Sequence, residues 1–255
     1  MFVPLHDGVA LRHIRVPWVT YALILANIAI WLITLPYAPV DGSAGAMALS
    51  YGHIPSVSND LRVLPEAFRT VPDHLYFLTT LSYAFLHADI WHLGGNMLFL
   101  WVFGDNVEDA MGPVKYLIFY LLAAIAASWL HAFVFPTSDS PLIGASGAAS
   151  GVVAAYMMLH PRVWIWGLVL GRIPLRLPAF LMIGLWIGFQ VLMFLTDTEE
   201  SVSWAAHIGG VLCGIVLVGL LKRRDVALFD KGLLGSKPNR SSEDQSNKPV
   251  WGRKS

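Results

Sequence analysis

The sequence predicts an all-α membrane protein, a bundle of six transmembrane helices. Hydrophobic residues make up 56% of the 255 residues and charged residues only 13%, and the mean hydropathy is +0.59. This composition is typical of a chain embedded in lipid and not of a soluble domain. The apolar residues also occur in long runs separated by short polar segments, as transmembrane helices require.

Six apolar runs account for the predicted helices. In chain order they are Trp18–Leu35, Ile90–Phe103, Val114–Phe135, Leu142–Leu159, Leu175–Leu195 and Val202–Leu221. The second run contains Gly94, Gly95 and Asn96, so its assignment depends on its flanks and on the regular spacing of the other runs. The first run follows Arg12 and Arg15, as a cleaved signal would, but its length of about 18 apolar residues favours a membrane anchor.

Lysine and arginine positions predict the orientation of the bundle, because positively charged loops remain in the cytoplasm. Arg12 and Arg15 precede the first run, three arginines follow the fourth run, and Lys222-Arg223-Arg224 follows the sixth. The loops at 136–141 and 196–201 contain neither residue type. We therefore expect a cytoplasmic amino-terminal segment at 1–17, a helical domain at 18–221, and a polar, disordered cytoplasmic tail at 222–255.

In this orientation the second, fourth and sixth helices all begin at the outer face, and each has polar residues near its beginning. These residues are His92, Asn96, Ser146 and His207. At about 1.5 Å per residue, all four lie within roughly 10 Å of the outer boundary. Polar groups inside apolar helices are costly unless they have a function, so we expect these four to form one site.

The residue types at this depth are those of an activated nucleophile. A serine hydroxyl attacks poorly unless a base accepts its proton, and imidazole is a suitable base near neutral pH. Ser146 and His207 would supply this pair. His92 and Asn96, four residues apart on one helix face, can both donate to an oxyanion, as can the backbone amide of Ser146. The fourth to sixth runs contain no Asp or Glu, which predicts a dyad.

Glycines predict that the serine and histidine helices pack closely. Gly147 and Gly151 lie four residues apart in the fourth run, and Gly210 and Gly214 have the same spacing in the sixth. Small residues at this spacing allow two helix backbones to approach each other. The faces that bear Ser146 and His207 can therefore meet.

Three motifs, in this order across six predicted spans, resemble those of the rhomboid intramembrane serine proteases. They are His92-Leu93-Gly94-Gly95-Asn96, Gly144-Ala145-Ser146-Gly147 and Ala206-His207-Ile208-Gly209-Gly210. The resemblance implies a six-helix bundle that cleaves single-span membrane proteins near the outer face of the lipid bilayer, without metal, nucleotide or other cofactor. By motif position it implies Ser146 as nucleophile, His207 as base, and His92 and Asn96 as oxyanion donors. A bacterial inner membrane is the location that it favours.

One position departs from the family pattern and bears on how His207 is oriented. Family members often have an aromatic residue four positions after the serine, where this chain has Ser150. Its hydroxyl either orients His207 or bonds to the carbonyl of Ser146 within the same helix, and we expect the second. We also expect Gln190 to make an interhelical hydrogen bond and His87 to be structural.

Other classes of protein remain open. A rhomboid-like pseudoenzyme would bind transmembrane helices without cleaving them, although such proteins commonly lack the nucleophile or the base. A small transporter would favour repeated halves with polar sites at the midplane, whereas these polar residues gather at one face. Zinc bound by His87, His92 and His207 would lack ligand-like spacing. The net charge of zero predicts no nucleic-acid partner, and the oligomeric state is not predicted.

Overall fold

In the computed structural model, the long helices form a bundle with the predicted order. The structure describes residues 2–35, 45–68, 70–169, 172–196 and 202–229. Its long helices are α1 (Trp18–Thr34), α2 (Ile90–Met111), α3 (Pro113–Val134), α4 (Ser146–Leu159), α5 (Ala179–Thr196) and α6 (Trp204–Leu221). Each corresponds to one predicted run, and the glycine-containing second run is a continuous helix of 22 residues.

The apolar character of these helices agrees with the predicted membrane fold. Within the described ranges, α3, α5 and α6 are long and apolar enough to cross a membrane, while α1 and α4 are shorter apolar helices. Helix α2 ends in a segment that contains Asp105, Glu108 and Asp109. The all-α membrane fold class is therefore confirmed.

Two helices begin later than their apolar runs, so the predicted starts at Leu142 and Leu175 are wrong. Leu142 forms an isolated β-bridge with His53, and Gly144 has a φ of +112°, which an α-helix does not accommodate. Helix α4 consequently begins at Ser146. Helix α5 begins at Ala179 because the residues before it form a strand that ends at Pro178.

A three-stranded antiparallel sheet, not predicted from the sequence, lies at the end of the bundle opposite to the beginning of α4. The central strand β2 (Trp164–Val169) pairs with β1 (Phe2–His6) and with β3 (Ile173–Pro178). Strands β2 and β3 form the connection between α4 and α5. The sheet therefore joins the amino-terminal segment to that connection.

Two carboxylates near the end of α2 bind the chain at and before the beginning of α1. Glu108 accepts hydrogen bonds from the backbone amides of Val19 and Thr20 at 3.1 and 2.8 Å. Asp109 accepts from the amides of Arg12, His13 and Ile14 at 3.0, 2.6 and 2.8 Å. The first amides of a helix have no intrahelical acceptor, so Glu108 satisfies part of this need and fixes α1 on α2.

The residues after α6 also pack on the bundle. The amide of Arg223 donates to the carbonyl of Ala110 at 2.8 Å, and the amide of Phe229 donates to the carbonyl of Met158 at 2.7 Å. Val226 also packs against the apolar core. Residues 222–229, assigned from sequence to the disordered tail, thus belong to the packed structure. The rest of that predicted tail, 230–255, lies outside the described residues.

His13 links the amino-terminal segment to the residues after α6 and is expected to make stability depend on pH. Its ring nitrogens lie 3.2 Å from Asp109 Oδ2 and 2.9 Å from Asp225 Oδ2. These hydrogen bonds, that to Asp109 first, raise the pKa of His13 above its usual 6.5. A raised histidine pKa stabilises the fold below the unfolded-state pKa, and this contribution is lost as pH rises through the folded-state value.

We therefore expect His13→Ala to lower the midpoint of thermal unfolding more at about pH 6 than at about pH 9. The measurement is thermal unfolding of the detergent-solubilised chain at both pH values. His74→Ala is the control, because His74 is exposed. Equal losses for His13→Ala at the two pH values would contradict the expected linkage.

The glycines of α4 and α6 lie where these two helices approach most closely. A Cβ atom built on Gly210 would meet the carbonyl oxygen of Gly147, and one built on Gly214 would meet the carbonyl oxygen of Gly151. The close packing predicted from the glycine spacing is confirmed by these contacts. It brings the beginning of α4 beside the beginning of α6.

Candidate active site

Ser146 and His207 line one cavity of about 450 Å³. Ser146 is the first residue of α4, and His207 lies in the first turn of α6. Both side chains are half-buried. The other lining residues include two histidines and a serine, His92, His131 and Ser203. The two residues predicted from sequence to be nucleophile and base therefore share one cavity.

The segment that leads into Ser146 is fixed by hydrogen bonds to the chain before α2. His53 and Leu142 exchange backbone hydrogen bonds of 3.1 and 2.9 Å, and the amide of Gly144 donates to the carbonyl of Tyr83 at 2.9 Å. The Tyr83 hydroxyl donates in turn to the carbonyl of Ala124 on α3 at 2.8 Å. These contacts determine where α4 begins and hence where Ser146 lies.

The His207 ring is hydrogen-bonded to a residue of α5. Its Nδ1 lies 2.7 Å from Oε1 of Gln190, and a hydrogen bond between these two atoms requires the proton on Nδ1, because an amide oxygen only accepts. Nε2 then has the lone pair that a general base requires. Among the described residues no hydrogen bond joins the Ser146 hydroxyl to this ring, and such bonds often shorten only in the substrate complex. The predicted interhelical hydrogen bond of Gln190 is confirmed.

The aromatic neighbour of His207 comes from its own helix. The rings of Trp204 and His207 meet edge to face, with centroids 5.8 Å apart and planes at 86°. Trp204 makes a second edge-to-face contact with Phe189 of α5. This contact was not predicted from the sequence, because the family pattern places the aromatic residue on the serine helix, α4.

Ser150 does not orient the His207 ring in this structure. Its hydroxyl donates to the carbonyl of Ser146 at 2.7 Å, and the residue is buried. The expectation of a hydrogen bond within the same helix is thus confirmed. A hydroxyl that is bonded back to its own helix supplies neither packing area nor a partner for the imidazole.

The two predicted oxyanion donors lie beside the loop before Ser146. His92 lines the cavity, and a Cβ atom on Gly144 would lie 2.5 Å from its Nε2. Asn96 is buried, and its Nδ2 is 2.9 Å from Nε2 of His87. The same His87 nitrogen accepts from the amide of Ala145 at 3.4 Å. His87, which we expected to be structural, therefore contacts both Asn96 and the residue before Ser146.

The fold and the cavity define a membrane-embedded helical protein with a serine, a histidine and further polar side chains at one end of the bundle. The Rhomboid domain family matches residues 74–224. This is more than half of the chain, and the chain belongs to the rhomboid family. The resemblance inferred from the three motifs is confirmed.

Curated relatives match between 53% and 59% of the chain. The chain is 33% identical to Rhomboid protease GluP of Bacillus subtilis over 153 residues, which are 59% of this chain and 27% of that protein. It is 30% identical to the mitochondrial Rhomboid protein 1 of Saccharomyces cerevisiae over 148 residues, 54% of this chain and 40% of that protein. It is 29% identical to Rhomboid protease GlpG of Yersinia pestis over 141 residues, 53% and 45% of the two chains. The matched part spans less than half the length of each of these relatives.

Proposed function

We propose that this protein is an intramembrane serine endopeptidase that cleaves transmembrane segments of membrane proteins. The observation that best supports this function is the cavity lined by both Ser146 and His207, in which the imidazole is bonded through Nδ1 and leaves Nε2 to act as base. Two of the similar proteins described above are named as rhomboid proteases, which supports the same chemistry.

In the proposed reaction, Ser146 Oγ attacks the scissile carbonyl carbon while His207 Nε2 accepts its proton. The oxyanion that forms is stabilised by His92, Asn96 and the backbone amide of Ser146. The imidazolium then donates its proton to the leaving amine as the C–N bond breaks. Water attacks the acyl-enzyme with His207 again as base, and the acid product leaves as the Ser146 hydroxyl is restored.

The substrates that fit this site are single-span membrane proteins within the same lipid bilayer. Ser146 and His207 lie near the beginnings of apolar helices, so a scissile bond must reach them close to one membrane face. The distribution of Lys and Arg supports the outer face for the site and the cytoplasm for both termini. We propose a bacterial inner membrane, with all six long helices as spans.

A fluorophosphonate probe tests this function directly. The Ser146 oxygen would displace fluoride from phosphorus while His207 accepts the proton, and the full chain in detergent is expected to be labelled at Ser146. The unlabelled chain should cleave a single-span substrate in proteoliposomes, and prior labelling of Ser146 should abolish that cleavage because the attacking oxygen is then bonded to phosphorus. A folded chain that binds a transmembrane helix but is neither labelled nor able to cleave would instead support the alternative, a non-proteolytic helix-binding pseudoenzyme.

Removal of either side-chain oxyanion donor is expected to slow cleavage without abolishing it. His92→Ala and Asn96→Ala should each lower kcat by roughly 10²-fold, the scale for one donor to an oxyanion. Ser146 should still react with the fluorophosphonate, because the nucleophile and base remain. The measurement compares kcat, labelling rate and thermal unfolding for each variant. A folded Asn96→Ala chain without any labelling would show that Asn96 is needed for the structure of the site and not as an oxyanion donor.

A further inference from the structure

We propose that Gln190 is a positioning residue that fixes the tautomer and orientation of the His207 ring. This inference rests on the proposed proteolytic function, in which His207 is the base. The hydrogen bond between Gln190 Oε1 and His207 Nδ1, at 2.7 Å, is the observation behind it. Gln190 thereby takes the part that a carboxylate has in a Ser-His-Asp triad.

The position of Gln190 on α5 is unusual for that helix. The buried residues of α5 are Ala179, Met182, Ile183 and Gln190, so Gln190 is the buried residue nearest to the end of the helix. Cβ atoms built on Gly184 and Gly188 would meet nothing within 4 Å. Both glycines, and most of α5 around them, are exposed, whereas the Gln190 amide is only 3% exposed and contacts the candidate base.

A neutral amide suits this depth in the membrane better than a carboxylate would. An ionised side chain within a transmembrane helix is costly, and helices α4, α5 and α6 contain no Asp or Glu. An amide oxygen accepts from Nδ1 without adding a charge, so it selects the tautomer whose Nε2 can accept the Ser146 proton. It does not neutralise the imidazolium, which distinguishes it from a triad carboxylate.

The test compares Gln190→Met with Gln190→Glu in the full chain. Methionine has similar volume but offers no comparable acceptor, whereas glutamate retains an acceptor oxygen in either protonation state. We expect Gln190→Met to lower kcat roughly 10- to 100-fold with little change in KM, as for partners that orient a metal-bound histidine. Gln190→Glu should recover at least part of that loss. Its pH–rate profile should also differ from wild type, because a carboxylate would favour the protonated ring.

A matched control separates positioning from simple packing. Asn27 is another buried amide in an apolar helix, and its Nδ2 donates to the carbonyl of Leu23 on the same helix at 2.8 Å. Asn27→Leu should change the midpoint of thermal unfolding without lowering kcat in the folded protein. Unchanged kcat in Gln190→Met, no recovery in a folded Gln190→Glu chain, or an equal loss of kcat in Asn27→Leu would each overturn the proposal.

A readout that does not require activity distinguishes this proposal from the proposed function. In ¹⁵N-histidine-labelled protein, with the His207 signals assigned by their loss in His207→Ala, the wild-type ring should be protonated at Nδ1. Gln190→Met should give a mixture of tautomers. If the wild-type chain shows the Nδ1 tautomer but neither cleaves nor reacts with fluorophosphonate, the proteolytic function fails while the Gln190 hydrogen bond stands. If both wild type and Gln190→Met give the same tautomer ratio, the positioning role is wrong.

Discussion

Ser146→Ala is expected to abolish cleavage of a single-span membrane substrate and to leave the fold intact. The substitution removes one oxygen atom from a half-buried side chain at the first position of α4, so the bundle loses little packing. It removes the attacking atom, and loss of a nucleophile from such a unit typically lowers kcat by at least about 1,000-fold. Cleavage in proteoliposomes and the midpoint of thermal unfolding in detergent measure the two effects separately.

Residues that act as one unit give losses that do not add. His207→Ala should therefore reduce cleavage about as much as Ser146→Ala, and the double variant should be little worse than either. Ser140 lines the same cavity without a place in the proposed reaction, so Ser140→Ala is the matched control and should remain active. Turnover above about a tenth of wild type in either single variant would rule out the dyad.

The six long helices and the grouping of polar residues at one end of the bundle were predictable because lipid imposes strong rules on sequence. A span needs a long apolar run, and polar groups inside such a run are costly enough to indicate function. The depth and residue types of Ser146, His207 and His92 therefore predicted that they lie together, and in the structure all three line one cavity. The glycine spacing predicted the contact of α4 with α6, because small residues four positions apart allow two helix backbones to approach each other.

The helix boundaries and the sheet were not predictable because they depend on distant partners. An apolar run does not reveal where its helix begins, and the beginning of α4 depends on the pairing of Leu142 with His53. Strand β3 continues directly into α5, so its apolar residues read as part of one helix. The pairing of β1 with β2 joins segments from opposite parts of the chain, and no local pattern records it.

The partner of Gln190 was not predictable because sequence does not fix the rotation of a helix that is apolar on all sides. Helix α5 has no polar face that would define which residues point inward. The amide of Gln190 predicted an interhelical hydrogen bond without naming its partner. Only the structure shows that the Gln190 Oε1 atom lies 2.7 Å from His207 Nδ1. Ser150 left open what orients His207, and the hydrogen bond from the neighbouring helix is the observation that supports Gln190 in this role.

Gly210→Val is expected to have the largest effect on stability, because no space exists for a side chain between α4 and α6. A Cβ atom at Gly210 would meet the carbonyl oxygen of Gly147, and would lie 2.9 Å from the Gly147 carbonyl carbon and 3.3 Å from the Gly151 nitrogen. These are backbone atoms, which cannot rotate away, so the helices must separate. Overpacking costs typically 1 to 3 kcal/mol, and we expect Gly210→Val to lower the free energy of unfolding by at least about 3 kcal/mol.

Gly219→Ala on the same helix is the matched control for this effect. A Cβ atom there would meet nothing within 4 Å, and alanine is favoured over glycine in a helix by about 1 kcal/mol, so this variant should be as stable as wild type or slightly more stable. At a temperature where the Gly219→Ala chain is folded, Gly210→Val should also lose fluorophosphonate labelling, since separation of α4 from α6 moves Ser146 away from His207. Gly210→Ala adds only the Cβ atom that meets the Gly147 carbonyl oxygen, so it should also be less stable than Gly219→Ala. Equal thermal stability of these two alanine variants would show that α4 and α6 do not approach closely in the folded protein. The juxtaposition of Ser146 with His207 would then lose its structural basis.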